Sequence, residues 1–261
     1  MNMQLREMSV DNDITPVTNG VGYAKPSLEV LSCCSCNIRG GCLAEQLTIA
    51  HDHSYQVVKN RKVFSKGVHI FRGGDDAKAI YMLSRGSVKS YMLMENGEEQ
   101  VLNFYMAGDV FGLDAMGCNS HISSTVALEE TTICKIPLAG LQDRVLGQGF
   151  LNIISNNLLR DHNQLLMLAR KDAEGRLASF LIDMSKRTEK YGHLNEDHSI
   201  DVIKLTMTRQ DIANYLGLAI ETVSRVLRRF QDSGMLEVSR RKLKVYDYNC
   251  LVAIAGAQVS C

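Results

Sequence analysis

The chain has 261 residues, 29 of them basic and 29 acidic, for a formal net charge of zero. That length holds one large domain or two ordinary ones with their own cores, and the balanced charge excludes a binder of polyanions by bulk electrostatics alone. No apolar stretch reaches the roughly 18 residues of a membrane helix and no apolar segment follows Met1 to Arg6, so the expectation is a cytoplasmic protein whose eight cysteines stay reduced.

Residues 1–30 are polar and aperiodic, punctuated by Pro16, Gly20, Gly22 and Pro26, and read as a disordered leader. Directly after it come Cys33, Cys36 and Cys42, spaced C-x2-C-x5-C around the glycine-bearing loop Asn37-Ile38-Arg39-Gly40-Gly41. Thiolates on so pliable a segment can converge on one soft metal centre, and Cys134, far along the chain, is the fourth candidate ligand. Four thiolates suit zinc and iron–sulfur alike, so the donor set leaves the metal open.

From about Val63 to Ile136 short alternating runs are broken by turn signals at Arg72-Gly73-Gly74-Asp75, Arg85-Gly86, Asn96-Gly97 and Ala107-Gly108-Asp109. This spacing predicts antiparallel hairpins closing into a sandwich or jelly-roll barrel, with the cysteine loop and barrel together filling residues 31–140.

Beyond Pro137 the period turns helical. Ile154, Leu158, Asp161, Leu165 and Leu168 alternate spacings of four and three, the narrow stripe of a coiled-coil seam, so residues 141–171 are expected to form a dimerisation helix. Paired Asp161 carboxylates across such a seam would keep the dimer marginal; an ordinary core helix with Asp161 at its rim is the competing interpretation. A second amphipathic helix is expected from Ala173 to Ser185 and a surface loop from Glu189 to Ser199, with a domain boundary near Lys171.

Residues 172–261 carry the remaining pattern. Thr208 is placed to cap a helix whose small Ala213 admits a second helix, and Gly217 supplies the left-handed residue between them. Ile212, Leu216, Leu218, Val223 and Val226 can seal the pair, which identifies a helix-turn-helix. Glu221, Ser224, Arg225 and Arg228 share one face of the second helix at i, i+3, i+4 and i+7. Arginine can fork onto guanine O6 and N7 and glutamate can accept from cytosine N4, so this face can read major-groove edges; Arg228 and Arg229, later in the helix, suit phosphates. A surface ion pair between Glu221 and Arg225 is the plainer alternative, worth about 0.3–0.5 kcal/mol. Leu236 to Tyr246 predicts a two-stranded wing with a basic tip, and from Asp201 to Tyr248 nine basic residues face six acidic ones, a surplus of three.

In this order the cysteine triad, barrel, seam helix and helix-turn-helix resemble the CRP/FNR superfamily of bacterial transcription regulators, and within it the FNR branch, from roughly Ser32 to Ala255. The carriers are the triad, Ala107-Gly-Asp-Val-Phe-Gly-Leu-Asp-Ala-Met-Gly117, Cys134-Lys-Ile-Pro137, and Leu205-Thr-Met-Thr-Arg209 running into Glu221-Thr-Val-Ser-Arg225. The likeness implies an α+β chain: a cyclic-nucleotide-binding-like β-barrel, a long dimerisation helix and a C-terminal winged helix-turn-helix. It further implies that Cys33, Cys36, Cys42 and Cys134 hold an oxygen-labile 4Fe-4S cluster, intact in the DNA-binding homodimer and converted by oxygen to 2Fe-2S as the subunits part. By the same likeness Ile154, Leu158, Asp161 and Leu165 lie in the dimer interface. Glu221, Ser224 and Arg225 match the reading triad for TTGAT-type half-sites in a palindrome. Such regulators activate or repress genes of anaerobic respiration, and barrel surfaces, here the acidic hairpin Glu95–Glu99, touch RNA polymerase.

The chain departs from that pattern in Cys34, which could replace Cys33, and in the unshielded Gly40-Gly41; Cys118, Cys250 and Cys261 match no ligand position. A cyclic-nucleotide-responsive regulator would need a cation for the ligand phosphate, yet residues 86–143 hold no arginine and only Lys89 and Lys135. A zinc-stapled DNA-binding protein is the other alternative. Enzymatic use is not indicated, since His51, His53, His69, His121 and Asp109 form no catalytic spacing.

Overall fold

Eight short strands follow from the alternating segment: β1 (Asn60–Phe64), β2 (His69–Phe71), β3 (Ala79–Arg85), β4 (Ser87–Leu93), β5 (Glu99–Met106), β6 (Val110–Phe111), β7 (Ser124–Ala127) and β8 (Thr131–Pro137). They pair antiparallel into two four-stranded sheets, β1-β8-β3-β6 and β2-β7-β4-β5, the double-sheet jelly roll expected from the hairpin signals. The computed structural model describes residues 60–138, 148–191 and 202–256. The leader at 1–30 and Cys33, Cys36 and Cys42 lie outside the described residues.

Strand β3 shows why part of the barrel reads as a continuous apolar run. Ala79, Tyr81 and Leu83 point between the sheets against Phe71, Val88, Phe111 and Ile133. Ile80 and Met82 point the other way, into a second cluster with Val110, Cys134, Ile136 and Phe150. A strand covered on both faces has no polar side to present. Asn96-Gly97 forms the β4–β5 turn, with Gly97 at φ 83° and the Gly97 N–H donating to the Met94 carbonyl at 2.9 Å.

Five helices are described: α1 (Gln148–Arg170), α2 (Ala173–Tyr191), α3 (Arg209–Leu216), α4 (Ile220–Asp232) and α5 (Tyr248–Ala255). Helix α2 runs past the expected end at Ser185, because Arg187 and Thr188 find partners that continue it, and it takes Glu189–Tyr191 from the expected loop. The rest of that loop lies outside the described residues. Strands β9 (Val202–Lys204), β10 (Leu236–Ser239) and β11 (Lys242–Val245) form one sheet in the order β10-β11-β9, so the expected two-stranded wing gains a third strand from the chain entering the helix-turn-helix.

The apolar core of the helical half extends onto the barrel. Val101, Phe104 and Leu128 belong to the same cluster as Leu177, Phe180, Leu181, Ile212, Val223 and Phe230. The Phe104 ring lies 5.1 Å from Tyr215 and 6.0 Å from Phe180, tilted and edge-on, a geometry that rings favour by about 0.5–1.5 kcal/mol per pair. Polar contacts border this seam. Lys89 donates to Asp211 and Glu99, each at 2.8 Å, and Asn214 accepts from the Val101 N–H at 2.6 Å while donating to the Glu99 carbonyl at 2.5 Å. The Ser87 hydroxyl donates to Thr206 at 2.7 Å. Burial works against the Lys89 and Asp211 charges, but their hydrogen bonds prevail, raising the Lys89 pKa and lowering that of Asp211.

Helix α1 is fixed at both ends: Phe150 in the cluster with Cys134, and Met167 in the helical core with Leu168 packed against it. Arg176 ties its last turn to that of α3, donating to the Lys171 and Leu168 carbonyls at 2.9 Å and to the Leu216 carbonyl at 3.0 Å. No helix among the described residues is long and apolar enough to cross a membrane.

Gly86, at φ 88° between β3 and β4, is a closely packed backbone position. A Cβ there would stand 2.6 Å from the Glu130 carbonyl oxygen and 2.9 Å from Thr131 Cα, atoms that cannot swing aside. Gly86→Ala should therefore destabilise the chain by at least about 2 kcal/mol in urea unfolding, from strain and clash together.

Candidate nucleic-acid interface and cysteine site

The helix-turn-helix forms by the local chemistry its sequence predicts. Thr208 caps α3, its hydroxyl accepting from the Asp211 N–H at 3.1 Å while the Asp211 carboxylate accepts from the Thr208 N–H at 3.0 Å, a complete capping box. Gly217 takes φ 61°, the left-handed residue that ends α3, and Ala213 is fully buried where the helices meet. On α4, Val223, Val226, Leu227 and Phe230 face inward. Leu218, expected to seal the pair, is only partly buried beside it.

Glu221, Arg225 and Arg228 are exposed on the opposite face of α4, with Ser224 half-buried between them. Among the described residues no ion pair joins Glu221 to Arg225, so the plainer alternative for these two is not formed. Arg228 reaches Asp232 at 4.0 Å with both side chains mostly in water, a contact worth little. Arg229 pairs with Glu174 on α2 while its side chain stays 61% exposed. The β10–β11 turn carries Arg240 and Arg241 into solvent, with Arg240 at φ 53°, a backbone state that an arginine adopts only at some cost.

Along α1 the predicted seam lies open. Ile154, Leu158 and Leu165 are exposed by 36%, 54% and 64%, and Asp161 lies among them. Leu168, assigned to the same stripe, instead packs on the helical core. Leu159 and Leu166, 55% and 59% exposed, flank the stripe and were not part of the predicted seam; their spacing of seven was the signal available. Partial withdrawal from water raises the Asp161 pKa, opposed by the nearby Arg160 and His162 charges.

Cys134 sits on β8, 4% exposed and free of any disulfide, on the sheet face where Ile80, Met82, Ile136 and Phe150 exclude water. A soft sulfur donor in an apolar surround suits a four-thiolate metal or cluster site. The other three predicted ligands fall outside the described residues, within which no group of three or more histidine, cysteine or acidic side chains converges. Cys118 is exposed and Cys250 half-buried.

The barrel interior is occupied by rings. Phe71 stacks on His121 at 3.7 Å and Tyr81 on Phe111 at 5.5 Å; burial pushes the Tyr81 and Tyr105 phenols up to about 12, so both stay neutral. The two lysines that could have met a ligand phosphate are elsewhere, Lys89 against Asp211 and Glu99 and Lys135 exposed on β8. Of the histidines named above, His121 contacts Asp114 at 3.0 Å and His69 contacts the Tyr91 hydroxyl at 2.8 Å, while His51 and His53 lie outside the described residues. In the Glu95–Glu99 hairpin, Glu99 is held by Lys89 and Glu98 accepts from the Asn96 amide at 2.9 Å, and the exposed surface there includes Glu95, Glu98, Met92, Leu93 and Met94.

Known proteins share this arrangement. The Crp-like helix-turn-helix domain matches residues 175–254 and the cyclic nucleotide-binding domain residues 61–146. The fumarate and nitrate reduction regulatory protein of Salmonella typhi is 37% identical over 232 residues, 87% of this chain and 91% of that one. Its counterpart in Escherichia coli K12 is 36% identical over the same shares. Electron transport regulator A of Shewanella oneidensis is 36% identical over 233 residues, again 87% and 91% of the two chains. Among solved structures, FixK2 from Bradyrhizobium japonicum superposes with a TM-score of 0.66 at 28% identity, covering 77% of this chain and 98% of that one. A CRP-family regulator from Thermus thermophilus shares the fold, with a TM-score of 0.60 at 20% identity over 76% and 98%. The chain therefore belongs to the CRP/FNR family: it is a DNA-binding transcription regulator of the FNR type, not an enzyme.

Proposed function

We propose that the chain senses oxygen through a 4Fe-4S cluster held by Cys33, Cys36, Cys42 and Cys134, and that the cluster-loaded homodimer binds palindromic TTGAT-type sites. The observation that carries this reading is the placement of Cys134: its thiol shares one apolar cluster with Phe150, and four residues beyond Phe150 the open seam of α1 begins at Ile154. When bound, the cluster supplies an oxygen-labile crosslink among the four cysteines. The chain's own residues do the remaining work. Phe150 makes the start of α1 sensitive to how the Cys134 face is packed, and Ile154, Leu158 and Leu165 bury apolar surface when a second α1 lies against them. Facing Asp161 carboxylates oppose that pairing and keep it reversible. Paired subunits then set two α4 helices for successive major grooves, with Glu221, Ser224 and Arg225 on base edges and Arg228 on phosphate. The names of the relatives in Salmonella and Shewanella support respiratory genes as the targets, and the apolar and acidic tip of the β4–β5 hairpin is the surface offered to RNA polymerase.

Anaerobically purified protein should be brown, contain iron and sulfide, sediment as a dimer and bind its operator, then bleach and release DNA in air. Colourless protein that holds zinc and binds DNA equally with and without oxygen would replace this reading by the zinc-stapled one.

Asp161→Ala should sediment as a dimer in air, where the parent is monomeric. Dimerisation would bring two carboxylates together, and their repulsion would raise a pKa that burial already raises, so the dimer takes up protons on forming and pairing tightens as pH falls, about tenfold for each pKa unit the pairing adds. Asp161→Asn should abolish that pH dependence; a dimerisation constant independent of pH in the parent chain would remove Asp161 from the seam.

Exchanging Glu221 or Arg225 for alanine should relax preference at one base pair by about 1–3 kcal/mol, read from competition among operators with single changes. Arg228→Ala should instead weaken all operators alike and lower the salt slope by about one.

A further inference from the structure

Asp109 stands in the turn between β5 and β6, 9% exposed, with both carboxylate oxygens in use. Oδ1 accepts from Arg160 of α1 at 3.1 Å. Oδ2 accepts from Arg187 of α2 and from the Met106 N–H, the latter at 2.8 Å. Arg187 also donates to the Phe104 carbonyl at 2.8 Å and to Asp183 at 3.1 Å. One carboxylate thus receives a guanidinium from the seam helix and another from the first helix of the DNA-binding region while itself belonging to the barrel.

Two geometric facts give this junction a direction. The seam residues Ile154, Leu158 and Leu165 and the reading residues Glu221, Arg225 and Arg228 are exposed while the junction is made, so it blocks neither a partner subunit nor DNA. It also gathers charges that have little recourse to water: the Arg187 side chain is 12% exposed and that of Arg160 25%. Taking the carboxylate away would leave Arg160 without its anion and Arg187 with Asp183 of its own helix alone, so the one group that joins all three elements would be lost.

We propose that Asp109 is a positioning residue: it clamps Arg160 and Arg187 so that the barrel, the seam helix and the DNA-binding region keep one relative orientation, and thereby fixes the separation of the two reading helices in a paired regulator. The clamp itself stands on the contacts within one chain; its effect on operators rests on the paired reading above.

The test uses the full chain with Asp109→Asn, which keeps an oxygen for the Met106 N–H and loses the charge, beside Arg160→Gln and Arg187→Gln on separate elements. Hydrogen exchange should accelerate in Asp109→Asn around Arg160 and around Arg187 together, and Arg160→Gln should loosen the α2 segment although the arginines meet only through Asp109. With anaerobic dimers, Asp109→Asn should lose about tenfold of the discrimination between a palindrome of native spacing and palindromes lengthened by one or two base pairs. A destabilised but correctly oriented regulator would not lose that ratio. Faster exchange confined to the substituted element, or an unchanged spacing preference in a dimer, overturns the clamp. A chain that remains monomeric without oxygen retires the paired reading and leaves the exchange result to decide the clamp alone. If Asp109→Asn fails to fold, the two arginine variants carry the same comparison.

Discussion

Phe104, Phe180 and Tyr215 meet ring to ring, and they come from the barrel, from α2 and from α3. Because aromatic side chains bury on the order of 150–250 Å² each, pulling the barrel from the DNA-binding region would return several kcal/mol of apolar surface to water. The polar contacts of Lys89, Asn214 and Ser87 stand at the edge of that packing, where a neighbouring apolar core shields them and strengthens their electrostatics. The barrel and the DNA-binding region are therefore two families of structure with one interior. A change in the barrel reaches the reading helix through packed atoms, with no need for a flexible linker to carry it.

Helix α1 acts as a beam laid across this body. Its first turn is buried at Phe150 beside Cys134 and its last at Met167 beside the reader, while the span between carries exposed leucines. A helix anchored at both ends and left apolar in the middle cannot hide its seam by folding it inward. The remaining way to bury that surface is a second protein surface, and in the paired regulator proposed above a small energetic penalty at Asp161 would matter because the apolar drive is limited to a few side chains.

Much of this was legible in the sequence where local chemistry decides the outcome. Thr208, Ala213 and Gly217 specify the helix-turn-helix by capping, size and backbone sign, and each stands where its spacing placed it. Asn96-Gly97 fixed a hairpin for the same reason. What the sequence did not disclose is long-range. Asp109 looked like a turn residue because its acidity says nothing about Arg160 and Arg187, 51 and 78 positions away. Lys89 and Asp211 are 122 positions apart and gave no periodic signal. Strand β9 escaped notice because three residues are too few for alternation to register, and the register with β11 exists only once the wing has folded. Leu168 satisfied the heptad spacing, but Met167 drags its turn of the helix into the core, a tertiary effect that overrides the pattern.

The guanidinium of Arg176 terminates α1 and α3 at once, accepting custody of carbonyls that each helix leaves without partners. The two helices are consequently joined at a common pin. If α1 slid along its axis, the Leu168 carbonyl would depart while that of Leu216 stayed, and one fixed fork could not follow both. Rolling about the pin keeps all three bonds. In the paired regulator proposed above, motion at the seam would reach the reader as torsion, the displacement that re-aims a helix in a groove while leaving its depth unaltered.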